Sequence, residues 1–152
     1  MVLRVRLLGE LEADAAGRPV PPPAHPQGPA LLAWLALHPG EHDRGPVAAL
    51  LWPDLCRSGG RAALRSAVWA LRRALGSHEA QVLDGRTTIG LRCATDRAAF
   101  AAFVEAGETA AALALCRGPL LAGLGEHEWV RAARAEHAAR VAALGARQPA
   151  AR

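Results

Sequence analysis

Between Arg61 and Gly76 the chain carries Leu64, Val68, Leu71 and Leu75 at the i, i+4, i+7, i+11 spacing of a single apolar stripe. That period belongs to an α-helix, because a strand would scatter the same residues over both of its faces. Gly76 supplies the C-terminal stop. The predicted fifteen-residue helix, Arg61–Leu75, must dock its apolar side on other elements of its own domain. That leaves Arg61, Arg65, Arg72 and Arg73 to its remaining surface.

The flanking segments fix the kind of domain. Downstream, Ala80–Leu83 and Thr87–Leu91 bracket Asp84-Gly85, a strong short-range hairpin signal. Upstream, Gly28–Leu37 is dense in leucine, has Pro29 in its first turn and ends at His38-Pro39-Gly40, so it reads as a buried helix. A second short helix runs from Pro46 to Trp52, starting near Asp43 and closing before Pro53, with Leu50, Leu51 and Trp52 turned inward. Ser58-Gly59-Gly60 reads as a tight connection to the long helix. The alternation in Leu3-Arg4-Val5-Arg6-Leu7 predicts an opening strand, and short antiparallel strands around the Asp14–Gly17 turn follow, up to the Pro21-Pro22-Pro23 block. Two short helices, a longer one and a hairpin, behind an N-terminal antiparallel sheet, make the order of a winged helix-turn-helix.

From Asp96 onward the chain is alanine-rich and helical, with expected helices over Asp96–Ala106, Glu108–Cys116 and Glu126–Leu144. The last of these is expected to carry Trp129, Ala133, Val141 and Leu144 on one side, and Gly145–Arg152 is expected to fray. The fold class is therefore α+β and mostly helical. Residues 1–93 are expected to form a winged-helix domain, residues 94–148 a short helical domain, and residues 149–152 a frayed tail.

Composition narrows the function. Of the 152 residues 51% are hydrophobic and 21% charged, which is globular, and all 18 basic side chains are arginine. Guanidinium forks bind phosphates in a bidentate manner, although a GC-rich genome alone also raises arginine together with alanine, glycine and proline. Cys56, Cys93 and Cys116 lack metal or redox spacing and read as reduced, small apolar residues of a cytoplasmic protein. No apolar run approaches a membrane span. His38 and His42 flank Pro39-Gly40 and share no helical face, and the other histidines have no ligand-like neighbours, so no metal, cofactor or enzymatic chemistry is expected.

In this order the residues resemble the Streptomyces antibiotic regulatory protein (SARP) family, which joins an OmpR/PhoB-type winged helix to a bacterial transcriptional activation domain. The resemblance is carried by residues 3–9, Gly17–Val20, Ala30–Gly40, Leu50–Asp54 and Leu71–Gly76, then by Asp96, Phe100, Arg117–Leu121 and Glu128-Trp129. It implies a DNA-binding transcription regulator with double-stranded DNA as its partner, and RNA polymerase or a second copy of the chain as further partners. The resemblance implies tetratricopeptide-like helices for residues 94–148, expected as a truncated activation domain, and His137 and Arg140 stand where the family usually places leucines.

For such a protein the long helix is the recognition helix. Helical projection sets Arg61, Arg65 and Arg72 beside the buried stripe with Trp69 next to them, and Ser66 and Arg73 further round. The arginines are expected on phosphates, with Arg86 and Thr87 contributed by the hairpin. The remaining sector is assigned to Ala63, Ala67, Ala70 and Ala74, which cannot hydrogen-bond bases and so imply modest sequence preference. Gly90 stands where some relatives have a basic side chain. The alternative reading is a degenerate family member that acts as a protein-interaction module without specific DNA binding.

Overall fold

In the computed structural model, which describes residues 2–125 and 127–147, the N-terminal alternation folds as strand β1 (Leu3–Arg6), with Leu3 and Val5 buried and Arg4 and Arg6 exposed. Strands β2 (Glu12–Ala15) and β3 (Arg18–Pro19) pair antiparallel through Asp14↔Pro19 and Ala15↔Arg18. Their connection is two residues, Ala16 and Gly17, at φ 51° and 77°. Two positive φ values give the turn whose twist matches the strands it joins, so the turn is tighter than the Asp14–Gly17 span expected from sequence.

Helix α1 (Gly28–Leu37) is almost wholly buried. Strand β4 (Glu41–Asp43), which carries no apolar alternation to betray it, leads directly into α2 (Arg44–Leu51). At the end of α2 Leu51 is 1% exposed, but Leu50 is 36% exposed and Trp52 half-buried, so only one of the three residues expected to face inward does so fully. The orphaned carbonyl of Leu51 accepts a 2.9 Å hydrogen bond from the Gln27 side chain, just before α1.

Helix α3 runs from Arg57 to Leu75 and takes in Ser58-Gly59-Gly60 as its first turn, instead of leaving them as a connection. Two interactions offset the helix-breaking tendency of the paired glycines. The Cys56 thiol caps the helix by accepting from the Gly59 N–H at 3.4 Å, and Gly60 packs beside Ala48 of α2. Cys56 is thus an exposed capping residue and not a small core residue. Leu64, Ala67, Val68, Ala70, Leu71 and Leu75 are buried along α3, which packs on α1 and α2. Each fully buried leucine contributes roughly 1.5–3 kcal/mol.

A 3-10 turn over Gly76–Gln81 replaces the start of the strand expected at Ala80. Strands β5 (Val82–Asp84) and β6 (Thr88–Leu91) form the hairpin, and β4 closes a three-stranded sheet ordered β4-β6-β5. Asp84 pairs with Ile89, so the hairpin connection is longer than a two-residue Asp84-Gly85 turn. Strand β7 (Ala94–Thr95) completes the other sheet, ordered β3-β2-β1-β7. The architecture is α+β with antiparallel sheets.

The chain divides into two compact units. One comprises the chain up to Val5 with Glu12–Ala94, the other Arg6–Leu11 with the chain from Thr95. Six N-terminal residues, Arg6–Leu11, thus group with the second unit. Hydrogen bonds explain this. Asp96, the first residue of α4 (Asp96–Glu105), accepts from the backbone N–H of Leu7 at 2.8 Å and of Leu8 at 3.1 Å. Arg117, Leu121 and Ala122 donate their N–H groups to Leu8, Leu7 and Gly9. Gly9 sits at φ 141°, and a Cβ there would lie 3.0 Å from Arg117, so this strap needs glycine.

Helices α5 (Thr109–Ala114) and α6 (Glu128–Arg147) complete the second unit. Arg134 of α6 donates to the carbonyls of Leu120, Leu121 and Leu124 at 2.7, 2.5 and 3.0 Å, clasping the irregular loop ahead of its own helix. The inward side of α6 is Val130, His137 and Leu144, with Trp129, Ala133 and Val141 half-buried. Glu126 and residues 149–152, expected as helix start and frayed tail, lie outside the described residues, and residues 145–147 continue the helix.

His137 is 6% exposed, edge-on to Phe100 at 5.1 Å, with Nε2 3.8 Å from the Cys116 sulfur. Burial, then Arg97 and Arg140, lower its pKa below the ordinary 6.5, against a smaller opposing pull from Asp96. The folded state therefore holds fewer protons than the unfolded chain just below pH 6.5, and stability falls as pH drops through that window. In His137→Leu, urea unfolding between about pH 6.5 and 5 should show a shallower loss of stability than in the parent. An identical pH slope would contradict the assignment.

Candidate nucleic-acid interface

Burial of the stripe on α3 determines which residues the helix presents outward. Arg61, Ala62, Arg65, Ser66, Trp69 and Arg73 are exposed, spaced as one helical face, and Arg72 is partly exposed beside them. Ala67 and Ala70 are 0% and 4% exposed. The assignment of an alanine sector to the open surface is therefore corrected: Ala67 and Ala70 belong to the core, Ala63 and Ala74 are half-buried, and the open face is cationic and aromatic. A helical projection centred on the leucines gives the small residues beside them to solvent. Close packing on α1 and α2 takes those small residues in as well.

This face forms one wall of a groove of about 920 Å³. The start of α2 and the hairpin loop Gly85–Thr87 supply other walls, so Arg61, Arg65, Trp69, Arg72, Arg73, Arg86 and Thr87 line one concavity. Ser66 is exposed on the same helix but does not line it. Six arginines face three carboxylates there, Asp43, Glu79 and Asp84. Arg44 is the lining cation that sequence reading missed. It heads α2, and only the hidden strand β4 before it brings it to the hairpin.

The cations fall into two groups. Arg61, Arg65 and Arg86 have no carboxylate partner among the described residues, and the Arg73 guanidinium lies 4.9 Å from the centre of the Trp69 ring. Trp69 itself is 62% exposed, whereas tryptophan is highly buried on average. Arg44 and Arg72 are instead ion-paired. Arg44 joins one Asp84 oxygen, and Arg72 joins the other at 3.0 Å and Glu79 at 3.5 Å. Arg44 also donates through Nε to the Gly85 carbonyl and through its backbone N–H to the Thr87 carbonyl, both at 3.0 Å. The loop bearing Arg86 is thereby fastened to the start of α2.

Gly90 has a steric reason. A Cβ at this position would lie 2.5 Å from the Gly40 carbonyl oxygen, where β6 passes the turn leading into β4. The absent basic side chain is a close-approach requirement, not only a lost contact.

Away from the groove, Trp34, His38 and His42 form a ring cluster. Trp34 stacks on His38 at 4.3 Å and meets His42 edge-on at 4.8 Å. The two histidines share no helical face, and they meet at Trp34 because the Pro39-Gly40 turn, with Gly40 at φ 91°, folds the chain back. Their ring nitrogens bond the carbonyls of Trp34 and His38. Among the described residues no group of three or more candidate metal ligands occurs, and no helix is long and apolar enough to cross a membrane.

No family model matches the chain, and no curated protein matches it. Among solved structures it is similar to Mycobacterium tuberculosis EmbR, determined in complex with a low-affinity phosphopeptide, with 25% identity and a TM-score of 0.82. The likeness covers 94% of this chain and 43% of that one, so the chain spans less than half the length of the structure it matches.

Gly90→Ala should cost about 1–3 kcal/mol through overpacking against Gly40. The check is a lower urea midpoint with an unchanged m-value. A midpoint equal to the parent's would mean that the strand yields freely there.

Proposed function

We propose that this chain is a DNA-binding transcription regulator that lays α3 in the major groove of a duplex and sets the Gly85–Thr87 loop against the flanking backbone. The observation that carries the reading is the open face of α3: three arginines without acidic partners among the described residues, Arg61, Arg65 and, on the adjoining loop, Arg86, together with Arg73 over an exposed indole, all lining one groove. The similarity to EmbR over nearly the whole chain and the resemblance to the SARP family support the same reading.

The dimensions are compatible. Nineteen residues of helix span about 28 Å, and a B-form major groove about 12 Å wide admits one helix. Arg61, Arg65, Arg73 and Arg86 would take phosphates, each releasing condensed counterions. Ser66 and Trp69, on the same face, would meet base edges, where a hydroxyl can donate or accept and an indole can cover a thymine methyl. With that face open, sequence preference has side chains to rest on, which an alanine sector would not have supplied. The helical second unit is the part available for RNA polymerase or a second copy of the chain.

Titration of a fluorescently labelled duplex against the full chain over a range of salt tests this. Log affinity should fall steeply with log salt, and Arg61→Ala with Arg65→Ala should flatten the slope by about 1.8, at 0.9 per lost phosphate contact. No binding at about 50 mM salt would overturn the proposal and leave the protein-interaction module as the reading of the fold. An unchanged slope in the double variant would overturn the assignment of α3.

A further inference from the structure

We infer that Asp84 occupies an anion seat built for a DNA phosphate, so that the free protein carries its own competitor in the groove. The inference rests on the DNA-binding reading above and concerns how the same site is regulated. Both oxygens of one carboxylate are taken, one by Arg44 from the head of α2 and the other by Arg72 from the last turn of α3. Two guanidiniums from different helices converging on one pair of oxygens is the arrangement that holds a phosphodiester. The seat lies among the groove-lining residues, beside Arg61, Arg65, Arg73 and Arg86, which have no such partner among the described residues.

The two arginines differ in what the carboxylate does for them. Arg44, 16% exposed, is also fastened to the Gly85 carbonyl, so its place is fixed by the loop as well as by the ion pair. Arg72 is 41% exposed and, among the described residues, held only by Asp84 and by Glu79, itself 53% exposed at 3.5 Å. An ion pair this open to solvent is weak and exchangeable. A phosphate can reach Arg72, but only by displacing Asp84 and accepting repulsion from it. Asp84 therefore lowers affinity for any duplex, whatever its sequence, and weights recognition toward the open end of α3.

Duplex titrations with Asp84→Asn test this. The variant should bind about eightfold tighter at 0.1 M salt and steepen the salt slope by about 0.9, the value of one further phosphate contact. Asp14→Asn, which makes the same charge change on the β2–β3 hairpin outside the groove lining, should leave the slope unaltered. Arg72→Gln in the otherwise native chain gives a second arm that does not depend on the Asp84 variant folding. It should barely change the slope, whereas Arg65→Gln should flatten it.

Native affinity and slope retained by Asp84→Asn would overturn the inference while leaving DNA binding intact. Weaker binding by an Asp84→Asn protein with unaltered circular dichroism would also overturn it, by making the carboxylate a positioning group for the arginines. So would a full 0.9 loss of slope in Arg72→Gln. Failure of the parent protein to bind any duplex would instead strike the functional reading itself.

Discussion

The docking of α3 through Leu64, Ala67, Val68, Ala70, Leu71 and Leu75 is the constraint from which the rest of the first unit follows. Because one side of the helix is committed to α1 and α2, the opposite side has no freedom in what it presents. Arg61, Arg65, Trp69 and Arg73 are outward by geometry and not by side-chain preference. A one-residue rotation of the stripe would bury guanidiniums, whose desolvation costs several kcal/mol each without a partner. The charged face and the apolar core are therefore a single specification written at two phases of one period.

The elements around α3 serve to hold its open face in register with a second cationic element. Arg44 is central: its backbone and side chain bond the Gly85–Thr87 loop, and the loop's Arg86 is thereby placed with the arginines of α3. Strand β4 makes this possible by pairing Asp43 with Thr88 and delivering Arg44 at the loop. The second unit uses the same means for another end. Asp96, Arg117 and Arg134 satisfy backbone groups of Leu7, Leu8, Glu10, Leu120, Leu121 and Leu124, so irregular segments that bury Leu7, Leu8, Leu120 and Leu121 have their backbone held by charge-assisted hydrogen bonds.

Wherever a period was long and apolar, the sequence was legible. Helices α1, α2 and α4, strand β1 and the body of α3 lie where their patterns put them, and the hairpin is present with Asp84 in its first strand and not in its turn. What was not legible had no period to read. Strand β4 is Glu41-His42-Asp43, a polar trio made into a strand only by its partner β6. The start of α3 was hidden by two glycines, whose helical state depends on a thiol cap and on contact with Ala48. Ala67 and Ala70 carry little hydrophobic signal in the sequence, yet close packing takes in any side chain that fits, and both are buried. Of the candidate site, the arginines were found from helical phase, whereas Arg44 and the two-armed grip on Asp84 needed the tertiary fold.

Trp69 offers the most direct test of the central claim that the exposed face of α3 is the surface a duplex covers. With 5-fluorotryptophan incorporated, the full chain has four indole fluorines, at 34, 52, 69 and 129, and the Trp69→Phe spectrum identifies the one at 69. On addition of duplex the Trp69 resonance is expected to shift and broaden, while that of Trp34, in its ring cluster away from the groove, holds its position. A Trp69 signal that stays unmoved while the duplex binds, with Trp34 or Trp129 responding in its place, would contradict the account.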